Sequence, residues 1–579
     1  MTDRCWMIED SCWQDRLREM QADAMERLMD SRSSDGMWRG KLSSSAISTS
    51  VSIFALQRID ADRYSHLIEG GVRWLNDTMK PDGSWGDSVE SPSNITATLL
   101  TYVSLYAVGK ASDKTREYLN ERFGGDTEEA LVQGVLNYYG KDLTFSVPIL
   151  MMCALAGVIG NWKKIPPFPF ELATLPQSIF RYLNLPVVSY AIPALIAIGI
   201  CQMRKTGGIL APIRGLFIPK AMRVLEKMQP ADGGFLEAAP LTAFVSMCLA
   251  EGGFRQHEVT QRCATFLHDT VREDGAWPID TNLSGWVTSL AAKVMELSHP
   301  EDLAEVIRSN ATKEIHPFTG ARHGGWGWSD LSGSVPDGDD TSGALVALSH
   351  LTNGVVSKEI EEGLRWLMWL QNNDGGMPTF CKGWGKLPFD RSTPDITAHA
   401  MLGMGVWLPY LSGELKKQVQ KSYDRMLDWM KRTTNDEGWI PLWFGDQDAT
   451  DEKAPVYGTA TVIDYLMLSN QEEGKSLAES KVKFLLDCQN EDGGWGGNKG
   501  VRSKVTYTSR VLSALAHFSG QFEESKQKGW NYLYSRYKAG TLYENEPIGL
   551  YFSRLWYSEE LYNTLFLLHA IKLQMADSK

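Results

Sequence analysis

The chain has 579 residues, with 58 Lys and Arg against 71 Asp and Glu for a formal net charge of −13, and is 43% hydrophobic and 22% charged. Its apolar and aromatic content excludes a disordered chain, and the acidic balance without a block of consecutive basic residues argues against nucleic acid as a partner. A chain of this length can build two or more domains with deep cores.

From the N-terminus, Met1 to Trp13 carries Asp3, Glu9 and Asp10 and no continuous apolar core, so no secretory signal is expected. Cys5, Cys12, Cys153, Cys201, Cys248, Cys263, Cys381 and Cys488 are scattered without a CxxC pair, the pattern of free buried thiols in a reducing, cytoplasmic compartment. Two apolar runs follow, Phe145 to Gly160 and Val187 to Met203. Both fall short of the roughly 20 residues that span a bilayer and are expected to be buried core helices, with Pro193 kinking the second. Gly207 to Met222 (GGILAPIRGLFIPKAM) then mixes Ile, Leu, Phe and Pro with a few basic residues, as a monotopic membrane plateau would.

A short phrase organises the whole chain: a helix end, then Asp-Gly or a variant, then a large side chain. It ends at Trp38, Trp85, Phe235, Trp277, Trp326, Met377, Trp439 and Trp495, with one long gap between Trp85 and Phe235. The glycine supplies the positive φ needed after a helix, and the aromatic folds back onto the neighbouring helix. Helical runs such as Leu364 to Leu370 and Ser509 to Phe518 lie between phrases, and strand-like alternation is scarce. The expected fold class is all-α, with the helical hairpins stacked as an open solenoid or closed as α/α barrels. The 20 Trp, 20 Tyr and 20 Phe favour a barrel, whose interior aromatics can line.

One turn stands apart: VPDGDDTSGALVALSHL sets Asp337, Asp339 and Asp340 just ahead of a helix that starts near Thr341. A helix N-cap needs one carboxylate, and three ionised ones this close repel one another, so at least one should have a raised pKa and stay protonated if the site is dry. A helix N-terminus favours the anion instead, and three carboxylates could also hold Mg²⁺, so acid and metal ligand remain alternatives at this point.

PDGDDT resembles the D-x-D-D-T signature of class II terpene cyclases, and the DGGW-type phrases resemble the Q-W motifs of squalene–hopene and oxidosqualene cyclases. The likeness runs along nearly the whole chain. STPDITAH (Ser392 to His399) is similar to the family's P-S-x-D-x-T-A-H segment, and Tyr457-Gly458-Thr459 to its Y-G-T segment. The resemblance implies two α/α barrels, one inserted into the other, with the active cavity between them. It places the inserted barrel with its membrane-contacting plateau at residues 26–274. Residues 1–25 then join residues 275–579 in the barrel bearing the acid turn. It implies that Asp339 delivers a proton, flanked by Asp337 and Asp340, and that His399 hydrogen-bonds to the acid cluster, with Asp395 on the same helical face. Protonating an alkene requires a neutral, dry acid, and the resulting cation requires aromatic faces in place of nucleophiles. By the family's segments, Trp328, Phe380, Tyr457 and Tyr551 fall where cavity aromatics are expected. The implied enzyme needs no cofactor or metal.

The sequence also departs from the hopene-forming pattern. One repeat unit is missing between Trp277 and the acid turn, so Trp286 matches either of two family positions, and the segment Trp443 to Tyr457 replaces a shorter Trp-rich loop. The expected function is cyclisation of squalene or a similar uncharged polyprene drawn from a membrane surface by a peripheral cytoplasmic protein, with a homodimer as the assembly common in the family. A class II diterpene cyclase acting on geranylgeranyl diphosphate, with a basic pocket and Mg²⁺, is the second enzyme reading. A non-catalytic helical-repeat binding protein, or a zinc-holding barrel using Cys381 and His399, is the reading from another class, and it leaves the acid cluster unexplained.

Overall fold

The computed structural model describes residues 2–140, 143–176, 191–317, 319–382, 390–550 and 554–577, with side chains described from residue 13 onward. An N-terminal helix, α1 (Thr2–Asp30), precedes five helices that are buried on nearly every face: α2 (Ala46–Asp60), α3 (Ile95–Ala107), α4 (Leu143–Leu155), α5 (Ile192–Thr206) and α6 (Ala239–Leu249). Six more of the same kind follow: α7 (Ser284–Val294), α8 (Gly338–Leu351), α9 (Pro394–Gly405), α10 (Pro455–Leu468), α11 (Val505–Ala516) and α12 (Tyr562–Asp577). A helix without a polar face must be surrounded, and these twelve segments less α1 form two rings. In one, each of α7 to α12 packs on the next and α12 returns to α7; in the other, α2 to α6 do the same and α6 returns to α2. Amphipathic helices such as Ser65–Asp77, Lys358–Leu370 and Gly413–Thr433 form the outer layer, each burying one stripe. The protein is all-α, built as two α/α barrels. Among the described residues, strands occur only as three two-stranded antiparallel ribbons.

The recurring phrase is the stitch that holds outer turns to inner helices. The indole N–H of Trp85 and of Trp495 donates to the carbonyl ten residues upstream, Leu75 and Leu485, at 2.8 and 2.7 Å. Asp82 and Asp492 accept from the backbone of Ser84 and Gly494 and fix the turn. Gly493 sits at φ +86°, and a Cβ there would lie 2.5 Å from the Lys528 carbonyl, so both conformation and space require glycine. At all eight phrases the backbone N–H of the last residue donates to a threonine hydroxyl of an inner helix, at 2.8–3.0 Å. Those threonines are otherwise poor helix formers, placed where the hydroxyl satisfies a buried donor.

Two of these ties are long-range and mark where the chain passes between barrels. Trp38 bonds to Thr288 of α7, and Trp277 bonds to Thr49 of α2. The adjoining ribbon pairs Ser44–Ser45 with Trp277–Pro278. The apolar cores divide accordingly: one takes residues 17–42 together with 286–571, the other residues 46–277.

Both apolar runs form buried inner helices, α4 and α5, and they occupy the interval where the phrase is missing. Pro193 lies in the first turn of α5, where its lost N–H has no partner to forgo, so the expected kink does not occur; the proline inside a helix is Pro148 of α4. Among the described residues no helix is long and apolar enough to cross a membrane.

Candidate active site

A cavity of about 540 Å³ lies between the barrels. The inserted barrel contributes Leu100, Pro148, Phe168, Leu195 and Phe244 to its wall, and the other barrel contributes Trp286, Trp328, Phe380, Trp443, Phe444, Tyr557 and Tyr562. Asp280, Asp337, Asp339 and Asp340 also open onto it, and among the described residues these four carboxyls are its only charged side chains.

The acid turn is held from both sides. The Asp337 N–H donates to the Trp326 carbonyl at 3.1 Å, and the Gly338 N–H donates to the Phe380 carbonyl at 3.3 Å. Asp337 is the N-cap of α8: its Oδ1 accepts from the N–H groups of Asp339 and Asp340 at 2.8 and 2.9 Å. Asp340 Oδ1 is buried without a hydrogen-bond partner among the described residues. Burial, with the charge of Asp337 beside it, pushes Asp340 well above the usual carboxylate range, and burial pushes Asp337 up to about 7.

Asp339 turns from this pair to His399, whose Nδ1 lies 2.5 Å from Asp339 Oδ1. His399 is fully buried on α9, stacked on Tyr465 with ring centroids 4.4 Å apart and met edge-on by Trp286 at 5.8 Å. Burial and then the charge of Lys293 lower its pKa to about 4. Its second ring nitrogen, Nε2, is 3.5 Å from Lys293 Nζ. Asp395, one helical turn before His399, accepts from Thr393 Oγ1 at 2.5 Å and is pushed up to about 6 by burial. It is buried behind the cavity wall and is not among the lining residues.

Of the expected aromatics, Trp328 and Phe380 line the cavity with centroids 5.9 Å apart, and Trp443 continues the run at 5.7 Å from Phe380. The replaced loop therefore still supplies a cavity tryptophan. Trp286 lines the cavity as well. Tyr457 differs from expectation: it stands behind Phe444, with centroids 4.8 Å apart, and its hydroxyl accepts from Arg510 at 3.3 Å, because Phe444 of the longer loop takes the inward position. Tyr551 lies outside the described residues.

Sequence reading missed two charged groups. Asp280 follows the Trp277 phrase directly and lines the cavity, pushed up to about 8 by burial. Lys293 is the one charged residue of α7 (SGWVTSLAAKV), and a lone charge in an otherwise uncharged inner helix was the available signal.

Protonated carboxyls facing a dry, aromatic-walled cavity can donate a proton to carbon and shelter the cation that forms. Comparison with known proteins meets this geometry. The squalene–hopene cyclase C-terminal domain family matches residues 317–576 and the N-terminal domain family residues 22–121, together more than half of the chain. A protein named as a probable squalene–hopene cyclase from Sinorhizobium fredii is 23% identical over 566 residues, which is 82% of each chain. A terpene cyclase–glycosyl transferase fusion protein from Humicola fuscoatra is 23% identical over 647 residues, covering 90% of this chain but 47% of its own. This chain thus spans about half the length of that fusion protein. A copalyl diphosphate synthase from Streptomyces cyslabdanicus is 23% identical over 323 residues, 54% of this chain and 52% of its own. Among solved structures, ent-copalyl diphosphate synthase from Streptomyces platensis shares the fold with a TM-score of 0.55 at 15% identity, covering 96% of this chain and all of that one. With the repeats, the paired barrels and these family matches together, the chain belongs to the squalene–hopene cyclase family of class II terpene cyclases.

Proposed function

We propose that the protein cyclises squalene or a comparable uncharged polyprene, with Asp339 as the general acid. The observation that carries this reading is the cavity wall: apolar and aromatic, with four aspartates as its only charged side chains among the described residues. A diphosphate would find carboxyls and, among the described lining residues, no compensating cation, which is costly in a dry site. Asp339 is the lining carboxyl that also reaches His399, so it combines exposure to the cavity with a hydrogen bond that positions it. Its proton passes to a terminal alkene carbon, leaving a carboxylate beside His399 and a tertiary cation that the chain of π-bonds attacks in turn. Trp328, Phe380 and Trp443 offer their faces to those cations without bonding to them.

Delivery from a membrane surface is part of the proposal. Ile209, Leu210, Ile213 and Leu216 are exposed, Ile209 at 97%, and form an apolar patch of the kind a monotopic protein sinks into lipid. Arg214, in the same segment, donates to Glu171 and to the carbonyl of Phe168, a cavity-wall residue, so the patch adjoins the cavity. Buried free thiols at Cys153, Cys201, Cys248, Cys263, Cys381 and Cys488 suit the cytoplasmic side of such a membrane.

The second reading is a prenyl diphosphate such as geranylgeranyl diphosphate, favoured by the likeness to copalyl diphosphate synthases. Detergent-solubilised protein given squalene or geranylgeranyl diphosphate, with and without Mg²⁺, separates the two by gas chromatography–mass spectrometry. Cyclised isomers or hydrates of squalene that vanish with Asp339→Asn are expected; product from the diphosphate alone would overturn the squalene assignment.

A further inference from the structure

Behind the acid lies a cation that the proton-transfer step so far leaves without a task. Lys293 sits on α7, 8% exposed, and among the described residues no carboxylate comes within ion-pairing distance of it. Its Nζ has His399 Nε2 at 3.5 Å, and the Tyr465 ring, on which His399 stacks, has its centroid 5.6 Å away. Burying an ammonium without an ion-pair partner is unfavourable, so the site retains it against a real penalty. Arg510 adds a second cation nearby, over Tyr465 at 5.9 Å and over Phe566 at 4.2 Å.

An ammonium has three donors and no acceptor. Facing His399, it can only donate to Nε2, and a ring nitrogen that accepts carries no proton. The ring's single proton is then on Nδ1, which points at Asp339 Oδ1. Oδ1 becomes the accepting oxygen of the carboxyl, and the acidic proton must reside on Oδ2. We propose that Lys293 is a positioning residue: through Nε2 it locks His399 in the neutral Nδ1–H tautomer, so that Asp339 keeps its transferable proton on Oδ2, the oxygen not engaged by histidine.

The alternative protonation states fail on the same geometry. With the proton on Nε2, Lys293 and His399 would present donors to each other, and Asp339 would spend its proton on Nδ1. With both ring nitrogens protonated, a second cation would be buried against the ammonium. Burial together with Lys293 lowers the His399 pKa to about 4, in line with a neutral ring, whereas Lys293, lowered to about 8 by burial, keeps its proton at pH 7. When Asp339 gives its proton to carbon, one C–H bond forms, the Oδ2–H bond breaks and the carboxylate keeps the electron pair. Its new charge is met by the Nδ1–H and, through the ring, by the Lys293 ammonium.

The inference rests on Asp339 being the acid, and the test separates the two. Uniformly ¹⁵N-histidine-labelled protein in detergent at pH 7, with His399→Gln used to assign the ring, reports the tautomer directly from long-range ¹H–¹⁵N correlations. The Nδ1–H form is expected in the wild type, and an Nε2–H or doubly protonated ring would overturn the proposal whatever the variants do. Lys293→Met is expected to lose that preference and about 100-fold in kcat, the low end of what a correctly held acid contributes, with KM within about twofold. Lys293→Arg, which restores a donor, should recover most of the loss. Wild-type kcat in Lys293→Met would equally sink the idea. Inactivity of Asp339→Asn bears on the acid alone and leaves the tautomer result standing.

Discussion

Phe380 joins the acid turn to the cavity wall, and its replacement is the sharpest probe of how the first cation is held. Its carbonyl takes the Gly338 N–H, and its ring lies between Trp328 and Trp443, with centroids 5.9 and 5.7 Å away. Phe380→Leu keeps an apolar side chain of similar bulk and leaves the backbone bond intact, so the acid turn stays in place while the π-face is lost. A desolvated cation–π contact is worth about 2 kcal/mol, which corresponds to about a 30-fold fall in kcat at 25 °C. KM should stay within a few-fold, because the ground-state substrate carries no charge and loses only a modest apolar contact. Phe380→Trp, which keeps a π-face, should retain more activity than leucine despite its poorer fit. The assay is steady-state turnover of the accepted polyprene with products resolved by gas chromatography–mass spectrometry, where leucine should also raise the share of early-terminated rings. A leucine variant within threefold of wild type in kcat, with an unchanged product profile, would refute the view that this ring stabilises the cation.

Two further outcomes follow from the carboxyl cluster. Asp337→Asn preserves the acceptor for the Asp339 and Asp340 N–H groups, whereas Asp337→Ala leaves both N–H groups without that acceptor and should cost about 2–4 kcal/mol. Thermal midpoints should therefore fall by several degrees for alanine and hardly at all for asparagine; equal losses would contradict the cap. Burial holds Asp337 at about 7 and Asp87, Asp280 and Glu559 at about 8 in the folded chain, above the roughly 4 of a free carboxyl. That stabilisation is complete below about pH 4 and is lost as pH rises through 7 and 8. His316, His350 and His399, lowered to about 4, oppose it only below the free imidazole value of about 6.5. Between pH 6.5 and 8 the thermal midpoint should fall, at up to about 1.4 kcal/mol per group per pH unit, and a midpoint that climbs across this window would be the contrary result.

Much of this architecture was legible because the repeat phrase carries its own chemistry. Asp, Gly and Trp at fixed spacing dictate a capped turn and an indole bond to a carbonyl ten residues away, all local events. The acid turn was legible for the same reason, since three aspartates in four positions exceed what a cap requires. Lys293 and Asp280 were not, because their meaning comes from partners on other helices: Lys293 meets His399 across 106 residues. Tyr457 stands elsewhere than expected because motif position fixes the helix and not which neighbour stands in front; twelve residues separate it from Phe444, whose ring takes the forward position. Pro193 was read from its place within an apolar run, and where α5 begins was set by the chain's path rather than by that run.

The two long ties, each closing its own barrel, set an order of assembly. Everything in the inserted ring lies between Ala46 and Trp277, so a nascent chain can complete it while the rest is still being made. The ring bearing the aspartates cannot close so early: α1 packs on α12, Trp38 waits for Thr288, and α12 must return to α7. The N-terminal helix thus lacks its main packing partner until α12 has been made, and the finished inserted barrel is the surface against which the late ring closes. On this route the acid site forms last, when the walls that keep it dry already stand, and a truncation that spares the aspartates but removes α12 should release a folded inserted barrel without an organised acid.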